Sequence, residues 1–208
     1  MPKIYISSVL FLEILLKPSP YFANGFSNFP KKFYSAKMLQ RWFLKYAGEA
    51  TTPFEYPASL FDCKGHLIFL PQSPEEALPY FPLIREIIER DPQNTLLLGN
   101  ENLKDLIQGA GFATVPRYYS ILGCRYGEAE FEILKNEILQ GSFSVCLYLE
   151  PEPFYQRLLL AKLSKATYRI GFLCESLYPF LNVSLRPSEN EAHAKASVLE
   201  TQYRKVSA

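Results

Sequence analysis

The sequence predicts an α/β fold. Its core is a doubly wound, mainly parallel, Rossmann-like sheet with helices on both faces, and a mostly helical N-terminal extension precedes it. Three observations lead there. Short apolar runs rich in β-formers recur between residues 65 and 186 and alternate with stretches of helical period. The run Phe143-Ser144-Val145-Cys146-Leu147-Tyr148-Leu149 is almost free of charge, as suits a strand covered on both faces. Residues 142–173 read as strand, turn, amphipathic helix and strand in succession, which is a βαβ unit.

The elements follow in order. Residues 1–64 form the extension and 65–208 the main domain. The apolar stretch 4–16 is too short to span a bilayer and is interrupted by Glu13, so it reads as a packed strand or helix. Residues 17–30 hold two Pro, an Asn-Gly and a Phe-Pro and are turn chemistry. Ser35 can cap a helix over 36–47. One face of it carries Met38, Leu39, Trp42, Phe43 and Tyr46, and another carries Lys37, Arg41 and Lys45. Such a helix either docks its apolar face on the main domain or lies on an anionic membrane surface. Residues 48–63 read as a linker.

In the main domain His66–Leu70 is the first strand. Ser73, with Pro74 next and Glu76 three residues on, is a helix N-cap in a capping-box pattern. The helix turns Ala77, Tyr80, Phe81, Ile84, Ile87 and Ile88 inward, and Pro79 and Pro82 predict a kink or late start. Arg90-Asp91-Pro92 ends it. Thr95–Gly99 is a second strand, 101–108 a short helix closed by Gly109, and Phe112–Val115 a third strand, with 118–122 a further candidate. Glu128–Leu139 is a helix burying Phe131, Leu134 and Ile138. In the βαβ unit, Glu150-Pro151-Glu152-Pro153 stops the first strand. The helix from Phe154 places Phe154, Leu158, Ala161 and Leu163 near one face and Gln156, Arg157, Lys162 and Lys165 elsewhere. Tyr168–Leu173 is the next strand; a short helix over 175–181, a strand over 182–185 and a helix over 189–204 complete the chain.

Composition excludes several classes. Apolar residues make up 48% of the 208 and charged residues 21%, enough for a core. The net charge of +1 gives no footprint for nucleic acid. Cys63, Cys124, Cys146 and Cys174 form no CxxC and sit at no ligand spacing from His66 or His193, so reduced structural thiols are expected and no metal site. There is no GxGxxG after a strand, no P-loop and no GxSxG. No cofactor is expected.

Ligands of such sheets bind outside the carboxyl ends of the strands, at a switch point. The candidate binding residues are therefore Gln72, Ser73, Glu75, Asn100 and Glu150. Glu76 at the same mouth could serve as a general base; equally, acids in a first helical turn offset the helix dipole. Glu150 and Glu152 flank another mouth, or are solvated turn acids. Arg169, at the start of a strand, reads as structural.

Two patterns carry a resemblance. The strand His66–Leu70 is followed by a turn and then a helix with Pro82 six residues after Glu76. Later, Leu160-Ala161-Lys162-Leu163-Ser164-Lys165-Ala166 precedes Arg169-Ile170-Gly171-Phe172, and Asn182-Val183-Ser184 leads to a helix containing His193. Over residues 66–199 the chain resembles the N-terminal half of glycosyltransferase family 9, the ADP-heptose:lipopolysaccharide heptosyltransferases. There the first strand meets a Gly-Asp turn, and the later motif reads Leu-Ala-x-Leu-Ser-(Gly/Lys)-Ala before Arg-Ile-Gly-Phe.

The resemblance implies one half of a GT-B fold, the half that holds the acceptor sugar, with Glu76 in the place of the catalytic aspartate. Glu75 stands where that family has Gly, and Glu76 carries its carboxylate one methylene further out. The donor-binding half is expected to be missing, since the sequence ends at Ala208. The expectation is a glycosyltransferase-like domain without autonomous catalysis, acting in binding or assembly and linked to cell-envelope polysaccharide metabolism. Alternatives are the active half of a split hexosyl- or heptosyltransferase completed by a donor-domain partner chain, and a membrane-surface adaptor using helix 36–47. A sugar ligand, a partner protein or a homo-oligomer, and a cytoplasmic location peripheral to the inner membrane belong to the same expectation.

Overall fold

A computed structural model describes residues 57, 59–114, 116–119, 129–151, 154–172 and 180–204. All lie in one compact unit, Thr51–Ala208. The predicted helix 36–47, the stretch 4–16, Glu152 and residues 175–179 of the short helix expected over 175–181 lie outside the described residues.

The sheet has six strands, all parallel, in the order β3-β2-β1-β4-β5-β6. β1 (His66–Phe69) leads through Ser73 into α1 (Pro74–Ala77), a 3₁₀ turn (Leu78–Tyr80) and α2 (Phe81–Arg90). The expected proline break thus falls at Pro79, where α1 ends and a tighter turn intervenes before Pro82 opens α2. β2 (Thr95–Asn100) is followed by a 3₁₀ turn (Glu101–Leu103) and α3 (Lys104–Ala110). Then come β3 (Arg117–Tyr119), α4 (Ala129–Gln140), β4 (Val145–Tyr148), α5 (Tyr155–Leu163), β5 (Tyr168–Phe172), β6 (Val183–Leu185) and α6 (Ala192–Arg204).

Every residue of β1, β2 and β4 is buried. These are the central strands, and their uncharged sequences reflect cover on both faces. On one face Ile68, Leu70, Leu97, Val145, Leu147 and Ile170 pack with Ile84 and Ile87 of α2, Ile107 of α3 and Leu199 and Tyr203 of α6. The alternate residues Leu67, Phe69, Leu98 and Tyr148 are also buried, and period-two alternation sends them to the other face. There α4 lies against α5, burying Phe131, Leu134 and Ile138 of α4 and Leu158 to Ala161 of α5.

Four local expectations are corrected. The third strand is Arg117–Tyr119, not residues 112–115: residues 112–114 are irregular, and Thr114 instead donates its hydroxyl to the Thr95 carbonyl at 3.0 Å. Pro116 supplies the break that starts the strand after it. Gly109 lies inside α3, and Gly111 closes the helix with φ 63°, the left-handed position that glycine tolerates. Residues 60–62 of the stretch read as linker form a 3₁₀ turn with Leu60 fully buried, and the Ser59 hydroxyl donates to the Tyr203 carbonyl at 2.8 Å. Arg157, expected away from the packed face of its helix, is buried.

Candidate functional site

In the order 3-2-1-4-5-6 the connections leave in opposite directions from β1 and β4, so their carboxyl ends flank the switch point. Leu149 continues beyond β4 and its amide donates to the Phe69 carbonyl at 3.0 Å, so the pairing holds up to the residue before Glu150. The chain then turns at Pro151. The Phe154 amide donates to the Tyr148 hydroxyl at 2.9 Å, which fixes the start of α5 over the end of β4.

Glu150 is 3% exposed and Arg157, in the first turns of α5, is 2% exposed. Their side chains form an ion pair, Arg157 Nη1 donating to Glu150 Oε1. Tyr119, the last residue of β3, donates its hydroxyl to the same Oε1 at 3.0 Å. The guanidinium carbon lies 4.3 Å from the centre of the Tyr119 ring and 4.2 Å from that of Phe154, a stacking that suits a planar, weakly hydrated cation. Gln72 just past β1 completes the set. In the amide orientation that satisfies both of its polar atoms, its oxygen accepts from Nη1 and Nη2 of Arg157 at 3.2 Å each. Charge burial on this scale persists because each ion has the other, since an isolated buried charge costs several kcal/mol.

The ion pair is lopsided. Oε1 of Glu150 takes both hydrogen bonds, while Oε2 is buried with no hydrogen-bond partner among the described residues. Asn100, the end of β2, is fully buried. Its Oδ1 accepts the Asn102 amide at 2.9 Å and so caps the following turn, but its Nδ2 has no hydrogen-bond partner among the described residues. Asn100 is the register partner of Tyr119, so the two side chains leave the sheet on the same face.

The structure therefore gathers Gln72, Asn100 and Glu150 around Arg157 and Tyr119. Ser73, Glu75 and Glu76 are occupied differently. The Ser73 hydroxyl accepts the Glu76 amide at 3.3 Å as the N-cap of α1, Glu75 is exposed, and Glu76 is half-buried in the same first turn. Glu150, for which a solvated turn was the alternative, is buried.

Tyr119 and Arg157 were not among the residues singled out in the sequence. A signal for Arg157 exists in retrospect. It opens the run Leu158-Leu159-Leu160-Ala161, all buried, and a helix apolar on most of its circumference leaves a neighbouring charge no water to face. Tyr119 had no such signal, because its role depends on strand order.

Elsewhere, Arg169 donates from Nε to the Phe180 carbonyl at 2.7 Å and from Nη1 to the Ala166 carbonyl at 2.8 Å, a structural use. Cys146 is fully buried, and burial pushes its thiol up to about 12; such a thiol is inert. Among the described residues no three His, Cys, Asp or Glu side chains gather as a metal site, and no helix is long and apolar enough to cross a membrane.

No protein-family model matches the chain, and no curated protein matches it. Among solved structures, it is similar to a glycosyl transferase family 9 from Veillonella parvula DSM 2008, at 13% sequence identity and a TM-score of 0.49. The likeness covers 73% of this chain and 44% of that one, so this chain spans less than half the length of the protein it matches.

Proposed function

We propose that the chain is a glycosyltransferase-like domain of the acceptor-half kind, with a binding or assembly role and no autonomous catalysis. The observation that carries this reading is the state of the carboxylate at the switch point. Glu150 is paired with Arg157 and hydrogen-bonded by Tyr119. A general base takes up a proton during the reaction. Taking one up would leave Arg157 buried without its counter-charge, so Glu150 serves as an anchor. The motifs at 160–172 and the parallel sheet support the glycosyltransferase-like part of the reading. A link to cell-envelope polysaccharide, and a peripheral cytoplasmic site, come with it.

The test is an assay of the purified chain with ADP-sugars and lipopolysaccharide-core acceptors. Sugar transfer and donor hydrolysis are expected to stay at background, while acceptor sugars bind. Turnover by the chain alone overturns the reading.

A second reading has one observation in its favour. Glu76 lies in a first helical turn just past β1, at the place the family resemblance gives to a catalytic base. On that reading a donor-domain partner completes a split heptosyl- or hexosyltransferase. Transfer would then appear on mixing with the partner, and Glu76→Gln would abolish it. On the first reading Glu76→Gln leaves sugar binding unchanged.

A further inference from the structure

Structural ion pairs between arginine and a carboxylate commonly use both oxygens, in a forked geometry. The Glu150–Arg157 pair does not: Arg157 and Tyr119 converge on Oε1, and Oε2 is buried with no hydrogen-bond partner among the described residues. A buried acceptor left without a donor costs about 1–3 kcal/mol. The Asn100 Nδ2 group is the converse, a buried donor without an acceptor among the described residues. Both stand at the carboxyl edge of the sheet, at strands separated only by β1. Tyr119 sits beside Asn100 in the register of β3 and β2, and its hydroxyl reaches Glu150 beyond β4. Neighbouring strands are about 4.8 Å apart, so the Tyr119 side chain must pass over the end of β2, where Asn100 lies.

We infer that Glu150 Oε2 and Asn100 Nδ2 form a subsite for a neutral, hydroxyl-bearing ligand of the sugar class. One hydroxyl donates to Oε2, and an adjacent oxygen accepts from Nδ2. The chemistry of the set excludes the charged alternatives. An anion would meet the Glu150 carboxylate, and a cation would meet the Arg157 guanidinium. Aromatic stacking is not on offer either, because Arg157 already lies over the Tyr119 and Phe154 rings. Entry is past Gln72. It is partly exposed where Glu150, Arg157 and Asn100 are not, and it holds the guanidinium by hydrogen bonds without a charge of its own.

This subsite deepens the sugar-binding reading above and rests on it. The test is a titration of the full-length ¹⁵N-labelled chain with D-mannose, with inorganic pyrophosphate as the counter-probe, read by nuclear magnetic resonance. The expected result is a saturable shift of the Asn100 side-chain amide with the sugar and none with pyrophosphate. Asn100→Ser keeps an oxygen for the Asn102 amide but lacks Nδ2, and should weaken the sugar's apparent Kd about tenfold, as should Glu150→Gln. Backbone spectra of both variants establish that they are folded, and the wild-type titration stands if either is not. Sugar-induced shifts confined to other residues, such as those around Glu76, would overturn the subsite but not the sugar-binding reading. No shift anywhere would overturn both. A shift with pyrophosphate in place of the sugar would overturn the neutral-ligand assignment. So would a bound water bridging Oε2 and Nδ2 that persists at saturating sugar.

Discussion

Tyr119 donates a hydrogen bond to Glu150 across the ends of two intervening strands, at 3.0 Å. The residues are 31 apart in sequence and on opposite sides of β2 and β1. Their contact turns the carboxyl edge of the sheet from an open row of strand ends into a defined recess around the Arg157 guanidinium.

The ion pair in that recess can be tested by a double-mutant cycle. Glu150→Leu leaves Arg157 buried without its counter-charge and should destabilise the fold by about 3–5 kcal/mol. Replacing both partners, Glu150→Leu with Arg157→Met, should recover most of the loss, since a buried pair is often matched by an apolar pair of similar volume. Urea unfolding of Glu150→Leu, Arg157→Met and the two combined measures this; a loss in the double variant equal to the sum of the two single losses would show that the pair is not coupled.

Gly65 enters β1 with φ 76°, and its amide donates to Asp91 Oδ2 at 3.0 Å. A Cβ there would come within 2.0 Å of the Ser142 carbonyl oxygen, which is backbone and cannot step aside alone. Gly65→Ala should cost more than about 2 kcal/mol by combining left-handed strain with overpacking. A drop in melting temperature of several degrees in calorimetry checks it.

Lys165 has φ 55°, directly after the end of α5. A left-handed conformation costs an ordinary residue about 1–2 kcal/mol, partly offset by the greater unfolded freedom of glycine. Lys165→Gly should therefore stabilise the domain by about 0.5–1 kcal/mol, seen as a higher urea midpoint with an unchanged slope.

Acid should weaken the fold in two stages. His66 is 2% exposed and neither ring nitrogen makes a hydrogen bond of normal geometry among the described residues. Burial lowers its pKa from the ordinary 6.5, against smaller opposing effects of the Leu60 backbone and Asp91. A depressed base binds fewer protons folded than unfolded. Its contribution is therefore intact above pH 6.5 and is lost as pH falls below that toward the folded pKa. Burial alone would raise the Asp91 carboxyl, but hydrogen bonds from the Gly65 amide and Asn94 outweigh it and hold the pKa below the usual 3.8. That contribution is present above pH 3.8 and goes as pH falls through the lowered value. Unfolding free energy should be flat around neutral pH, decline as pH falls below 6.5, and decline again as it falls below 3.8. His66→Phe should remove the first decline and leave the second.

The sequence was most informative where one residue type suffices for one local job. Ser73, followed by Pro74 and Glu76, starts α1 as its side-chain chemistry requires. Phe131, Leu134 and Ile138 share a helical face and are all buried. The chargeless runs of β1, β2 and β4 are the strands covered on both sides. Where neighbouring signals compete, local reading failed. Phe112 to Thr114 look like a strand, yet the ladder begins after Pro116, and two glycines stood near the end of α3, of which only Gly111 takes the left-handed turn.

What the sequence by itself determined, then, is an alternating α/β domain, its parallel sheet and the strand ends at which Gln72, Asn100 and Glu150 stand. Periodicity and capping depend on residues a few positions apart, so a linear reading can reach them. Only the tertiary structure decided what those residues meet. Strand order brings Tyr119 across to Glu150, and the turn at Pro151 carries Arg157 back under Phe154 into a place without water. The charge of Glu150 follows from its residue type; its burial and its partners follow from the packing of elements far apart in the chain.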